Sequence, residues 1–408
     1  RCETVKNDPL KARIYTLDNG LKVYMTVNKE TPRIQTFIAV RVGAKNDPIE
    51  TTGLAHYFEH LMFKGTEQFG TQNYAKEKPL LDQIEAKFEY YRTLKDSVER
   101  KKVYAQIDSL SYEASKLSIP NEYDKLMSAI GAKGTNAYTG YDMTVYVEDI
   151  PSNEIENWAK IQSDRFKHNV IRGFHTELEA VYEEKNMSLT NDFEKVIDQI
   201  FKGLYPHHPY GMQSVLGTQE NLKNPSITNI KNYYKQWYVP NNMAICLSGD
   251  FDPDQMLETI KKYFGDMQPN KELKPLEVKK EAPIESPIIK EVKGLESPYI
   301  SLAWGFPGIS SKSSDTLVLL TNIIYNGKAG LIDLNVNQSQ KVLSTAFFNY
   351  AQSDYSTLIC IGEPKKGQTL EEVKAIIMEQ IEKLKSGDFS EDLLKATINN
   401  YKVNKVME

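Results

Sequence analysis

The sequence predicts an α+β chain made of two similar domains, and three observations predict it. Residues 12–45 read as strands, and from Pro79 to about Leu117 the character changes to charged, helical repetition. The Pro- and Lys-rich stretch "QPNKELKPLEVKKEAPIESP" (268–287) reads as a linker by composition. Beyond it, "YISLAWGF", a helical run over 317–325 and "YSTLICIG" restart a similar strand–helix–strand order. The expected division is therefore a first domain over 1–267, a linker over 268–290 and a second domain over 291–408. A chain of 408 residues is long enough for two or three domains.

The elements follow in order. "ARIYTLDNGLKVYMTVN" is two β-rich runs around Asp18-Asn19-Gly20, a strong hairpin signal. "RIQTFIAVRVGA" adds a strand that ends at Gly43. A helix is expected to begin near Leu54, with Leu54, Phe58, Leu61 and Met62 spaced for burial. From Pro79 to about Leu117 the sequence becomes charged and helical. Leu81, Ile84, Phe88 and Tyr91, then Val103, Ile107 and Leu110, predict two helices folded back on each other, and a short helix to Ile130 follows. "GAKGTNAYTGYDMTVYVEDIP" (131–151) reads as a turn and an alternating strand. Helices are expected over about 152–170, with Ile155, Trp158 and Ile161 on one face, and over about 176–189. "MAICLSGDFDP" is a strand leaving into a turn, and the chain finishes in a helix.

Composition excludes several functions. Hydrophobic residues at 40% and charged residues at 26% describe a globular chain with ample core. No run approaches the roughly 18 apolar residues of a membrane span, so no transmembrane segment is expected. A net charge of -5 argues against a nucleic-acid partner, because phosphate binding needs a concentrated basic field. Three cysteines make no disulfide framework, and Cys246 and Cys360, in apolar runs, read as core thiols. The chain opens at Arg1 rather than Met, which suggests a removed leader and an exported or imported protein. The last helix ends without a cap or breaker, which reads as a truncated or proteolysed end.

The most informative stretch is "GLAHYFEHLMFKGT" (53–66). On a helix, positions i and i+4 share a face and i+3 lies beside them. His56 and His60 can thus grip one cation while Glu59 points to its edge, an inversion of the commoner H-E-x-x-H order. A hydrolytic zinc takes three protein ligands and leaves a position for water, whose proton a nearby carboxylate can accept. The bland alternative is a pair of histidines lining a core. For a third ligand, the acidic helix "TELEAVYEEKNMSL" (176–189) places Glu177 and Glu184 two turns apart on one face, with Glu179 and Glu183 toward solvent. An ordinary charged helix is the alternative there.

With these segments in view, the chain resembles the inverzincin metallopeptidases, the group of pitrilysin, insulin-degrading enzyme and the mitochondrial processing peptidases. "LDNGLKVYM", "GLAHYFEHLMFKGT", "GTNAYTGYDMTVYVEDIP", "ELEAVYEEKNM", "HPYGMQSVLGT" and "YYKQWYVPNNMAICLSGDFDP" occur in that family's order over residues 17–253. The chain looks like the N-terminal half of a bacterial-type member. The resemblance implies two similar domains, each a mostly antiparallel sheet with helices packed on one face, the second domain incomplete. It implies His56, His60 and Glu184 as ligands of one Zn2+ in the catalytic domain, Glu59 as the general base, and Glu177 as a supporting acid beside the metal. "GTNAYT" matches the family's edge strand, so Asn136, Ala137, Tyr138 and Thr139 are expected to hold substrate backbone by strand addition; a plain hairpin turn is the alternative.

Two departures stand out. The interval from His60 to Glu184 is 124 residues, longer than the family's usual spacing, and a helical hairpin over about 79–127 accounts for the excess as an insertion. Lys185 follows the third ligand where the family usually has a different side chain. The expected activity is that of a zinc metalloendopeptidase cleaving peptides or unfolded segments in an enclosed chamber. Its expected partner is a second homologous half, fused or separate, and its expected compartment a bacterial periplasm or envelope. The alternative is a non-catalytic peptide-binding or scaffold half.

Overall fold

The structure, a computed structural model, describes residues 2–407; the expectation drawn from Arg1 lies outside the described residues. The chain divides into two compact units, one of residues 1–189 and 207–281, the other of 190–206 and 282–408.

The first unit opens with four strands: β1 (Cys2–Thr4), β2 (Arg13–Thr16), β3 (Lys22–Val27) and β4 (Arg33–Val40). Helices α1 (Leu54–Leu61), α2 (Tyr74–Thr93), α3 (Ser97–Ser115) and α4 (Glu122–Ala129) follow. Strands β5 (Lys133–Thr139) and β6 (Thr144–Pro151) lead to α5 (Ile155–Lys167) and α6 (Phe174–Thr190). The next helix, α7 (Asp192–Leu204), belongs to the second unit. The chain returns through the short helices α8 (Pro209–Met212) and α9 (Gln219–Lys223), then α10 (Ile227–Trp237), β7 (Met243–Gly249) and α11 (Pro253–Phe264).

Seven strands form one sheet in the order β1-β2-β3-β7-β4-β6-β5. Every pairing is antiparallel except β3 with β7. The alternation in β4 decides which face is covered: Ile34, Thr36, Ile38 and Val40 are fully buried while Arg33, Gln35, Phe37 and Ala39 are half-buried. Leu54, Phe58 and Leu61 of α1 with Met62 just after it, Trp158 of α5, Ile230 of α10 and Ile260 of α11 complete that core. The Asp18-Asn19-Gly20 turn forms as its chemistry requires, with Gly20 at φ 89. The Asn19 amide also donates to the carbonyls of Phe264 (2.9 Å) and Met267 (3.2 Å), pinning the end of α11.

The second unit contains α7, then β8 (Ile300–Pro307), α12 (Ser314–Ile324), β9 (Ser344–Ala351), β10 (Tyr355–Glu363), α13 (Leu370–Ser386) and α14 (Glu391–Met407). Its three strands form an antiparallel sheet in the order β8-β10-β9. Cys360 is fully buried and Cys246 half-buried.

Three sequence expectations need correction. Residues 190–206 group with the second unit, not with the 1–267 segment, because the Asp192 carboxylate accepts the backbone N–H groups of Leu295 (2.6 Å) and Glu296 (2.8 Å). Pro79 does not open the helical hairpin: α2 begins five residues earlier, at Tyr74 behind an Asn73 cap, and Pro79 lies inside the helix, where it leaves the Ala75 carbonyl without its usual i+4 amide donor. The buried face of α5 is not Ile155–Trp158–Ile161, since both isoleucines are only half-buried; Gln162 and Arg165 fill the core beside Trp158. Arg165 is held there by the Met62 carbonyl at Nε (2.7 Å), the Tyr123 hydroxyl at Nη1 (2.9 Å) and the rings of Tyr123 and Phe63, while its Nη2 has no hydrogen-bond partner among the described residues.

Candidate metal centre

Helix α1 carries the first part of the site, and its start is held from outside. Gly53 adopts φ 86, and a side chain there would press on the Leu216 carbonyl. Gly217 approaches Thr52 equally closely, so the "VLGT" segment forms a floor under the helix entry. The Asp47 carboxylate accepts the N–H groups of Gly53 (2.8 Å) and Ala55 (2.9 Å), satisfying donors that a helix start leaves open. At the other end, Arg165 holds the Met62 carbonyl. These clamps fix which way His56, Glu59 and His60 face.

Helix α6 runs alongside α1. The Tyr57 hydroxyl donates to the Phe174 carbonyl and ties the two together where α6 begins. That contact brings Glu184 to the histidines: His56 Nε2 lies 3.3 Å from Glu184 Oε2, and His60 Nε2 lies 3.7 Å from Glu184 Oε1. The two Nε2 atoms are 3.2 Å apart. Among the described residues, His56, His60 and Glu184 are the only histidine, cysteine or carboxylate group placed to hold a metal.

These separations test the fit to zinc. Bonds of about 2.0–2.1 Å in a tetrahedral shell put neighbouring ligand atoms roughly 3.3–3.4 Å apart. The His56–His60 and His56–Glu184 separations match that spacing, while His60 reaches the other Glu184 oxygen at a wider 3.7 Å. Glu184 is the most exposed of the three, which leaves a fourth direction open on its side.

The surrounding charges suit the same role. His60 Nδ1 lies 2.7 Å from Glu177 Oε1, so a carboxylate fixes the ring from behind, and Lys64 Nζ lies 2.6 Å from Glu177 Oε2. Burial opposes charging Glu177, but the hydrogen bonds with His60 and Lys64 outweigh it and hold the carboxyl down at about 2. Burial, with His60 close by, lowers His56 to about 4 and keeps its imidazole neutral, the form a metal needs. Burial also disfavours charge on His60, yet Glu177, Glu184 and Glu59 together raise it above the ordinary value. His56 Nδ1 is buried without a hydrogen-bond partner among the described residues, so only His60 has carboxylate support.

Glu59 points toward the sheet edge. It is buried, and burial raises its carboxyl above the ordinary range, against the pull of a hydrogen bond from Thr139 Oγ1 at 2.5 Å. Thr139 ends β5, which pairs only with β6 and so presents one open edge. Asn136 and Tyr138 are exposed and Ala137 and Thr139 half-buried, as alternation along an edge strand requires.

The structure thus gathers His56, Glu59, His60, Glu177 and Glu184, with Thr139 against Glu59, while Asn136–Tyr138 line the adjoining strand. Glu179 and Glu183 face solvent. Sequence reasoning missed Asp47, Lys64, Arg165 and Arg172. The two glycines at 53 and 217 were the available signal for the close approach; nothing local marks the buried arginines.

Fold and donor set define a class: an α+β chain carrying one group of three donors that could hold a metal ion. The comparisons carry this to a family. Residues 22–89 match the family model described as insulinase (peptidase family M16), and residues 226–401 match the one described as peptidase M16 inactive domain. The chain belongs to peptidase family M16. It is 22% identical to the zinc protease PqqE of Helicobacter pylori over 95% of this chain and 77% of that one. It is 24% identical to a probable mitochondrial-processing peptidase subunit beta of Schizosaccharomyces pombe, over 78% and 59%. Among solved structures, a Helicobacter pylori protease superposes with a TM-score of 0.74 at 20% identity, covering 97% of this chain and 85% of that one. The periplasmic protease PqqL of Escherichia coli superposes at 0.67 and 16% identity, covering 97% and 40%. No helix among the described residues is long and apolar enough to cross a membrane.

Proposed function

We propose that the chain is a zinc-dependent endopeptidase half, with His56, His60 and Glu184 as the ligands of one Zn2+. The observation that carries this reading is the close grouping of His56, His60 and Glu184 beside a buried Glu59 that accepts from Thr139. Zinc, when bound, supplies Lewis acidity toward the scissile carbonyl and the attacking water. Glu59 takes the proton of that water and returns it to the leaving amine; burial raises its carboxyl, which favours holding the proton between the two transfers. Glu177 fixes the His60 ring through Nδ1 and acts through that residue rather than on substrate. The open edge of β5 holds an extended peptide, with Asn136, Ala137, Tyr138 and Thr139 alongside its backbone and Thr139 linking that edge to Glu59. A second homologous half, fused or separate, closes the chamber around unfolded segments; the match to the first half of PqqL, covering 98% of this chain, supports that partner. The same neighbour's periplasmic description supports an envelope location.

A peptide-binding half without turnover is the second reading, favoured by the inactive-domain match over 226–401. Metal analysis and cleavage of a mixed peptide library separate the two. The expected result is one zinc per chain and cleavage that falls at least about 100-fold in Glu59→Gln with zinc retained. Wild type without zinc, or a Glu59→Gln variant that cleaves normally, would overturn the peptidase reading.

A further inference from the structure

The hairpin of α2 and α3 lengthens the chain between the two halves of the metal set, and both of its helices reach the same short segment, residues 172–177. From α2, the fully buried Glu77 binds Arg172 through two contacts, Nε to Oε1 at 2.6 Å and Nη2 to Oε2 at 2.9 Å. Arg172 also donates to the carbonyls of Lys64 (2.9 Å) and Thr66 (2.9 Å), in the loop that leaves α1. From α3, Asp108 is hydrogen-bonded to Nε2 of the buried His175. Phe88 packs on Phe174 with ring centres 4.9 Å apart, and Tyr104 on His175 at 5.0 Å.

The links continue to the histidines. Lys64, whose carbonyl Arg172 holds, places its ammonium on one oxygen of Glu177, and the other oxygen holds His60 Nδ1. A cavity of about 380 Å³ lies between the hairpin and this segment, lined by Ile84, Ser111, Arg172, Phe174 and His175 among others. Packing there is incomplete, so directional polar links carry much of the positioning.

We propose that the α2–α3 hairpin is a positioning device for the metal centre: through Glu77–Arg172 and Asp108–His175 it fixes the start of α6, and with it the contact of Glu177 to His60. The inference rests on His56, His60 and Glu184 being the metal set. Outer carboxylates that orient a ligating histidine typically change metal affinity about 10–100-fold when lost.

Asp108 tests this with little risk to folding, because its side chain is 54% exposed. Zinc affinity of the full chain is measured by competition with a chelator, together with the absorption spectrum of the Co2+-loaded protein. Asp108→Ala is expected to weaken zinc about 10-fold and shift the cobalt spectrum, while Asp108→Asn, which keeps an acceptor, restores both. Lys64→Met cuts the last link and is expected to weaken zinc by a similar factor. Unchanged affinity and spectrum in Asp108→Ala, with wild type binding zinc, would overturn the hairpin's role whatever Lys64→Met does, and leave the zinc reading standing. Wild type that binds no zinc would overturn both.

Discussion

The two units use buried charge differently. In the first, Glu77 and Arg172 form a desolvated ion pair, Arg165 sits at 0% exposure with Glu148 3.9 Å away, and Asp47 holds a helix start. In the second, the core is Ile324, Ile332, Val336, Val342, Phe347, Leu358, Cys360, Val373, Ile377 and Ile381. Its buried carboxylates Asp192 and Asp333 accept backbone N–H groups. All six histidines of the chain lie in the first unit. Buried ion pairs rarely stabilise more than an apolar packing of the same volume would. Their concentration around α1 and α6 therefore points to orientation of side chains rather than to stability.

Breaking the larger ion pair gives the sharpest contrast. Arg172→Met strands the Glu77 carboxylate at 0% exposure and is expected to cost about 3–5 kcal/mol, read by urea unfolding through the buried Trp158. A loss below about 1 kcal/mol would mean that the pair is replaceable by apolar contact. In the second unit, Ile377→Ala is expected to cost about 3 kcal/mol by opening a cavity, while zinc stoichiometry stays unchanged. Altered zinc binding in that variant would end the division of labour drawn between the units.

A smaller effect appears on acidification of the metal-free protein. Glu177 is held at about 2, below its ordinary value of 4.5, so its contribution to stability is complete above about 4.5 and disappears as pH falls toward 2. Acid unfolding followed by circular dichroism should show that loss, and Glu177→Gln should flatten the curve within that window only. An unchanged curve would place the lost stability elsewhere.

Local periodicity made much of this molecule legible. The DNG hairpin, the alternation of β4, the buried face of α1 and the helical hairpin all depend on neighbours within a few residues, and they formed where expected, apart from the early start of α2. Strand β9 and helix α7 were not singled out. The buried face of α5 was misread because polar residues enter a core only when distant partners satisfy them, and Arg165 has its partners at Met62 and Tyr123.

The same division holds at the candidate site. His56, Glu59 and His60 share a face because a helix repeats every 3.6 residues, so the sequence by itself determined their juxtaposition. The resemblance already pointed to Glu184 rather than Glu179 or Glu183, but bringing it to the histidines depends on tertiary packing, anchored by Tyr57 and Phe174, across 124 residues of chain. Asp47, Lys64 and Arg172 were decided in the same way. Their roles come from hydrogen bonds to backbone and to carboxylates far along the chain, which no local pattern encodes.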